Sequence, residues 1–237
     1  MKKFIVSLLI IGMLTSLAST AMASDIVLPG DLVGITISFD GEVCVPATYF
    51  LNFDGYAEDE LVEALELELI PTTIAGIMNV GITREEFAEI AVMFYNKLTG
   101  YEIPEGLENP FEDCDNYAVT VAHYIGIVAG TSETTFDPFA LTNREQIFTM
   151  LYRAAKIAMP EVNFEAKSEL AFDDAGEVSV YCLDAVKYLA EADLIVGYDN
   201  KLMPLDTAQC QAAVILAKRI YLGLRVEEIP VNPMEIN

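Results

Sequence analysis

Two stretches of the chain begin a helix in the same manner: TREEFAEIAVMFYNKL at residues 83–98 and NREQIFTMLYRAAKIA at residues 143–158. Apolar residues in the first stretch have the i, i+3, i+4, i+7 and i+11 spacing of one helix face: Phe87, Ile90, Ala91, Phe94 and Leu98. Thr83 and Glu86 have the spacing of a capping box, in which each side chain accepts a hydrogen bond from the other residue's backbone amide. The pattern predicts two amphipathic helices, each with an Arg in its first turn.

The segments upstream of the second helix also recur. FED (111–113), GIVAG (126–130) and FDP (136–138) return in the same order as FDD (172–174), DLIVG (193–197) and LMP (202–204). This order indicates an internal repeat of roughly 60 residues, each unit consisting of a helix, a loop and a helix. We expect a mainly α fold, with three such repeats in a pseudo-threefold helical array. The predicted repeats span 54–109, 110–165 and 166–225, followed by a tail at 226–237.

The order of these elements resembles the S-layer homology domain family, in which F-x-D, a helix, G-I-V-x-G, F-x-P and I-T-R-E follow one another. The second repeat fits best, and the first keeps ITRE at 82–85 but lacks F-x-P. The third repeat has Cys210 and Gln211 where the family has Arg and Glu, so it is degenerate. Tyr56 and Tyr181 occupy positions where the family tends to have Trp, and this chain has no Trp.

The resemblance implies noncovalent attachment to the bacterial cell envelope, through a secondary cell wall polysaccharide whose terminal N-acetylmannosamine carries a pyruvate ketal. On that basis Arg84 and Arg144 are expected to hold the ketal carboxylate, together with unpaired backbone amides at the positive end of each helix. Glu85 and Glu145, the next residues, belong to the same expected site. The alternative for each Arg is an ion pair with one of the 37 carboxylates of the chain.

Two glycines and two tyrosines complete the expected ligand-binding site. Gly126 and Gly130 would line a sugar groove by close approach of the backbone, although a glycine also serves as a helix C-cap or a loop residue. Tyr56 and Tyr181 would stack on a sugar ring, although an aromatic at helical spacing more often faces the core. The sequence leaves both alternatives open.

Composition excludes some functions and indicates others. The formal net charge of −24 is the opposite of the basic footprint that nucleic-acid binding needs, whereas 53% apolar residues suffice for a folded core. Residues 1–23 read as a secretory signal peptide, with a charged start, an apolar stretch and a small-residue cleavage site. Residues 24–53 form a short segment in which the alternation at 32–46 around an Asp-Gly turn predicts a β-hairpin.

The four cysteines and the single histidine do not indicate a metal site or a catalytic site. Cys44, Cys114, Cys182 and Cys210 are too few for a disulfide scaffold in a chain of 237 residues, and a bridge between the last two is left open. No Cys/His cluster with zinc spacing exists, and no nucleophile motif accompanies His123. We therefore expect neither a metal nor another cofactor, and no enzymatic activity.

These observations lead to one functional expectation and one alternative. The expectation is an exported protein at the cell wall or S-layer that binds secondary cell wall polysaccharide and anchors itself to the envelope. Other S-layer or surface proteins are further candidate partners, whereas nucleic acid is not, and no membrane contact is expected after signal cleavage. The alternative is a degenerate scaffold that acts in surface self-assembly or protein contact without binding a glycan.

Overall fold

The computed structural model describes residues 52–74, 76–101 and 103–227, and two short strands upstream. The predicted mainly α fold is confirmed, because the described part contains six α-helices: α1 Glu58–Glu66, α2 Arg84–Thr99, α3 Tyr117–Ile125, α4 Arg144–Ala158, α5 Leu183–Glu191 and α6 Cys210–Glu227. Strands β1 Ser38–Phe39 and β2 Val43–Cys44 pair antiparallel, with Ser38 opposite Cys44. The rest of the predicted hairpin, the signal peptide and most of the tail lie outside the described residues.

Long and short helices alternate along the chain, and each short helix packs on a long one. Helix α3 contacts α2, α5 contacts α4, and α1 contacts α6, while α2 packs against both α4 and α6. Helices α3 and α5 therefore pack on the long helix that precedes each of them, and the first short helix packs on the last long one. The two ends of the described chain are thus brought together.

A ring of three backbone hydrogen bonds joins the segments that precede the long helices. The Ile82 amide donates to the Ala208 carbonyl, the Ala208 amide donates to the Thr142 carbonyl, and the Thr142 amide donates to the Ile82 carbonyl, each at 2.9 Å. The side chains of these three residues are buried. The ring holds the N-termini of α2, α4 and α6 together at one end of the molecule.

The predicted capping box at the start of α2 is confirmed, and α4 begins in the same way. The Thr83 side chain accepts from the Glu86 amide, and the Glu86 carboxylate accepts from the Thr83 amide at 2.8 Å. Asn143 and Gln146 make the reciprocal pair at 3.0 Å. Two of the amides that a helix start leaves unpaired are thereby satisfied in each helix.

The core consists of the apolar faces of the six helices. Phe87, Ile90 and Phe94 of α2 are fully buried, as the i, i+3, i+7 spacing predicted. Burial of a large side chain of this kind contributes roughly 1.5–3 kcal/mol. Hydrophobic packing across the three long helices is therefore the main source of stability in the described part.

The three cysteines in the described helical part, Cys114, Cys182 and Cys210, are free and buried. The bridge between Cys182 and Cys210 that the sequence left open is not formed. Burial raises the pKa of Cys182 to about 11 and that of Cys210 to about 12, so both remain thiols at neutral pH. They act as small core residues.

A half-exposed ion cluster joins the last helix to the first. The Lys218 ammonium, which is buried, lies 2.7 Å from a carboxylate oxygen of Glu60 and 2.5 Å from one of Glu63. The Arg219 guanidinium lies 2.9 Å from the other oxygen of Glu60. This cluster supports the contact between α1 and α6 that closes the helical assembly.

Candidate functional site

A large groove lies between the start of α4, the face of α6 and the loop at 194–198. It has a volume of about 620 Å³, and Arg144, Arg219, Tyr56 and Tyr198 supply its polar and aromatic groups. Tyr56 is 68% exposed and Tyr198 is 77% exposed. The groove therefore combines two guanidinium groups with two accessible aromatic rings.

The Arg144 side chain is held by a backbone carbonyl and keeps several donors free. Its Nε donates to the Leu202 carbonyl at 2.8 Å, and its guanidinium carbon lies 5.6 Å from the centre of the Phe148 ring. A guanidinium has five N–H donors, and within the described residues no other hydrogen bond of the Arg144 guanidinium is formed. Burial lowers its pKa, and the nearby Asp206 partly offsets that effect.

Arg84 is placed in the same manner but is more completely bonded. Its Nε donates to the Phe136 carbonyl at 2.9 Å and its Nη2 to the Ala129 carbonyl at 3.1 Å. The guanidinium also lies 4.6 Å from the centre of the Phe136 ring. Arg84 is not among the residues that line the large groove, so the two arginines lie at separate places.

The alternative of an intramolecular ion pair does not hold for either Arg within the described residues. None of the salt bridges formed there involves Arg84 or Arg144. Both side chains are half-buried and make their hydrogen bonds to carbonyl groups instead. The carboxylates that act electrostatically on these guanidinium groups, such as Asp206 on Arg144, lie beyond salt-bridge distance, so the free N–H donors are suited to an external anion.

The expectation that unpaired helix amides take part in anion binding is wrong. The amides of Arg84 and Glu85 donate to the carbonyls of Ala140 and Pro138, at 2.9 and 3.1 Å. The amides of Arg144 and Glu145 donate in the same way to Asp206 and Pro204. The segments that precede α4 and α6 use these donors, so only the side chains remain available to an anion.

Glu145 has a structural position rather than a ligand-facing one. It is buried, and its carboxylate accepts hydrogen bonds from the Ser179 amide at 2.9 Å, the Ser179 hydroxyl at 2.8 Å and the Tyr181 hydroxyl at 2.7 Å. Burial and this hydrogen bond raise the pKa of Tyr181. The carboxylate accepts three hydrogen bonds, and it orients Tyr181.

Gln211, in the first turn of α6, orients a tyrosine as Glu145 does in the first turn of α4. Its side-chain carbonyl accepts from the Asp54 amide at 3.0 Å, and its amide nitrogen donates to the Tyr56 hydroxyl at 3.2 Å. Tyr56 is therefore positioned beside Arg144 by a residue from the other end of the chain. Glu85 is half-buried, and burial together with Glu89 and Glu86 raises its pKa.

The expected tyrosines are both exposed rather than core-facing, but they do not share a groove. Tyr56 lies in the large groove with Arg144. Tyr181, 51% exposed, lines a smaller pocket of about 310 Å³ together with Arg153 and Lys156. The structure thus brings together one Arg and one Tyr of the expected set.

Gly126 and Gly130 are required by the backbone conformation of their loops. Gly126 has φ of 91° and ends α3 as a left-handed C-cap, with its amide bonded to the Ala122 and His123 carbonyls. A Cβ on Gly130 would lie 2.4 Å from the Ser132 carbonyl oxygen. Neither glycine lines the large groove.

Sequence reasoning missed two residues of the large groove. Tyr198 follows the DLIVG phrase, and no family element marks it. Arg219 lies nine residues after Cys210, and Arg153 lies nine residues after Arg144. That shared offset was a readable signal for a second positive charge in α4 and α6, whereas the matching position in α2 is Met93.

The loops that carry the groove are anchored by the last residue of the F-x-D element. Asp174 accepts from the amides of Leu202 and Met203 at 2.9 and 2.7 Å. Asp113 accepts from the amides of Phe136 and Asp137, both at 2.8 Å. Each carboxylate thereby fixes the carbonyl group that the neighbouring Arg uses.

We expect Asp174→Asn to lower the free energy of unfolding by about 2 kcal/mol at pH 7, because an amide presents only one acceptor to the two backbone donors. Burial raises the pKa of Asp174, but the two amide hydrogen bonds outweigh it and hold the pKa below its ordinary value. The carboxylate therefore stabilises the fold above about pH 4, and this contribution is lost as the pH falls through the folded-state pKa.

Urea unfolding of both proteins between pH 3 and 7 measures the effect, and the difference should shrink toward pH 3. Asp173→Asn is the matched control, since Asp173 is exposed and accepts only from the Asn200 side chain. A pH-independent difference would contradict the assigned role.

A comparison with protein families found a match for one segment of the chain. Residues 171–204 match the model of the S-layer homology domain. The matched segment contains α5 and the loop that supplies Tyr198 to the groove. This segment is therefore similar to an S-layer homology domain, which suggests attachment at the cell surface or binding to the cell wall in general. A comparison with curated proteins found no match.

Two further properties of the described residues bear on localisation and chemistry. No helix among them is both long and apolar enough to cross a bilayer. The same part of the chain holds no group of three or more His, Cys, Asp or Glu side chains arranged to bind a metal ion.

Proposed function

We propose that this chain is an exported binding protein that anchors itself to the envelope by holding an anionic secondary cell wall polysaccharide in the large groove. The observation that carries the proposal is Arg144. Its guanidinium is half-buried in a groove of about 620 Å³, it is outside every salt bridge of the described part, and one carbonyl orients it.

The side chains of this groove are suited to a pyruvylated sugar. The ketal carboxylate is a fixed anion with two oxygens, and a guanidinium donates to such a group through two parallel N–H bonds. The apolar face of a sugar ring can pack on the exposed rings of Tyr56 and Tyr198. Arg219 adds a second positive charge to the groove lining, although its ion pair with Glu60 partly neutralises that charge.

The net charge of −24 sets a condition on this binding. An anionic polymer is repelled by the protein at long range, whereas the groove attracts it at contact distance. Salt at 0.15 M reduces the Debye length to about 8 Å, which screens the repulsion more than the contact. We therefore propose that recognition is local, with association that moderate salt assists.

We also propose that the helices form three repeats in a pseudo-threefold array, the third of which is degenerate. Support comes from the ring that joins Ile82, Thr142 and Ala208, and from the cyclic packing of short helices on long ones. In this arrangement the Arg of one unit faces the loop of the next. Cys210 occupies the third Arg position, so we expect two competent arginine sites and no third.

A second candidate function is contact with other surface proteins or self-assembly without a glycan. Exposed apolar side chains beside the ring favour it, including Phe139 and Leu205. An enzymatic role is the least supported, because the groove presents arginines and tyrosines but no paired carboxylates for glycan hydrolysis.

Cosedimentation with purified cell walls tests the proposal. The chain from residue 24 onward should pellet with intact walls and stay in solution with walls stripped of their secondary polysaccharide. The combined Arg84→Gln and Arg144→Gln variant should fail to pellet with either. Equal binding to both kinds of wall would contradict polysaccharide recognition, and binding to neither would favour the protein-contact function.

A further inference from the structure

Five exposed apolar residues surround the ring of pre-helix segments. Phe139 is 75% exposed, Leu205 57% and Leu141 56%, and Ile77 and Val80 are also exposed. All five lie in the segments that lead into α2, α4 and α6. We call this surface the ring face.

The ring face is continuous because the three segments meet at its centre. A Cβ placed on Gly81 would lie 2.9 Å from the Thr207 methyl group and 3.2 Å from a Leu141 methyl group. The next residue in each segment points inward, as the burial of Ile82, Thr142 and Ala208 shows. Outward side chains from three separate parts of the sequence therefore form one surface.

Neither the core nor the groove accounts for this surface. None of the five residues lines the large groove, and none is packed in the core. Continuous exposed apolar surface is uncommon on a soluble monomer and normally has an occupant. The question is which group covers it.

The helical part of the chain begins at the edge of the ring face. The Asn52 carbonyl accepts from the amides of Met78 and Asn79 at 3.2 and 3.0 Å, directly between Ile77 and Val80. The 28 residues at 24–51 therefore enter the molecule beside this surface. A few extended residues, at about 3.3 Å each, are enough to reach its centre.

The sequence of that segment is suited to an apolar surface. It alternates Ile35, Ile37 and Phe39 with small polar residues, and it contains no Lys or Arg. A lone hairpin with such a face is marginally stable in water and needs a surface to pack on. A tethered segment also has an effective concentration in the millimolar range, which a second copy at micromolar concentration does not match.

We infer that residues 24–51 dock on the ring face of the same chain and cover its apolar side chains. The segment is then an intramolecular cover for the end of the helical assembly, at a distance from the groove. This inference does not depend on the proposed polysaccharide binding.

Cys44 provides a test within the chain, since the other three cysteines are buried thiols. Asp206→Cys places a second thiol on the ring face, and Glu161→Cys places one beyond the C-terminus of α4. The 15 residues of α4 separate the two sites by about 22 Å. With oxidised glutathione as oxidant, we expect Cys44 to form an intramolecular disulfide with the first thiol at least tenfold faster than with the second.

A second variant keeps the inference falsifiable. Phe139→Ser combined with Leu205→Ser alters only exposed side chains, so the fold should be retained by circular dichroism. In the Asp206→Cys background this pair should slow disulfide formation to the rate of the Glu161→Cys protein, while wall cosedimentation stays unchanged. Equal rates at the two thiol positions would overturn the inference, and covalent dimers would assign the ring face to a second copy.

Discussion

Arg144→Gln is expected to weaken wall binding by roughly tenfold to a hundredfold. Charge-assisted hydrogen bonds to a carboxylate are worth about 1.5–3 kcal/mol, and 1.4 kcal/mol corresponds to a factor of ten in the dissociation constant. Gln keeps an N–H donor on a shorter side chain but has neither the charge nor the planar fork. Binding isotherms from cosedimentation at several protein concentrations measure the change.

Arg84→Gln provides the internal comparison. Two of the Arg84 nitrogens are already bonded to the carbonyls of Phe136 and Ala129. We therefore expect this substitution to weaken wall binding about threefold and to affect thermal stability more than Arg144→Gln does. Lys97→Gln removes the same charge from a surface pair with Glu68 and should leave binding unchanged.

The ratio of the two effects is the decisive quantity. If both arginines acted only as links between neighbouring units, each substitution would lower the stability and leave the wall affinity of the folded protein intact. Arg144→Lys separates the contributions further, because it keeps the charge but loses the fork. An Arg144→Lys protein that binds as well as the wild type would show that charge alone is enough.

Gly130→Ala is expected to lower the free energy of unfolding by about 3 kcal/mol, at the upper end of the range for steric overpacking. A Cβ there would lie 2.4 Å from the Ser132 carbonyl oxygen and 2.6 Å from that of Thr135. Both atoms belong to the backbone of a tight loop in which the Thr131 amide donates to the Thr135 carbonyl, so neither yields as a flexible side chain would. Thermal unfolding should show a decrease of roughly 10 °C.

Gly176→Ala is the matched control, since a Cβ placed on Gly176 would have no heavy atom within 4 Å and the φ of this residue is not positive. Its stability should stay within about 0.5 kcal/mol of the wild type. Wall binding through Arg84 should fall along with stability in Gly130→Ala, because Ala129 accepts from Arg84. A stable Gly130→Ala protein would mean that the loop has a second conformation.

The expected site was partly readable in the sequence. The capping motif identified Arg84 and Arg144 as residues of the first helical turn, because capping depends on residues three apart. The same reasoning assigned Glu145 to the ligand, whereas three hydrogen bonds from Ser179 and Tyr181 occupy it. These contacts connect residues more than thirty positions apart, and local spacing carries no information about them.

Local properties of this protein follow from its sequence alone. Helix starts, apolar faces and the recurrence of units depend on residues within one or two turns of each other, so Thr83, Phe87 and Asn143 could be assigned without coordinates. The S-layer homology resemblance rested on the same short elements, and the match at residues 171–204 supports it.

The tertiary structure alone decided which of those elements meet. It placed Tyr56 beside Arg144, and it used the helix-start amides of Arg84 and Arg144 in hydrogen bonds to the segments that precede α4 and α6. The physical reason is that the ring holds the pre-helix segments side by side, so the Ala140 and Asp206 carbonyls accept from helix-start amides that would otherwise be free for a ligand. The arginine side chains, which the ring does not use, are what remains for recognition.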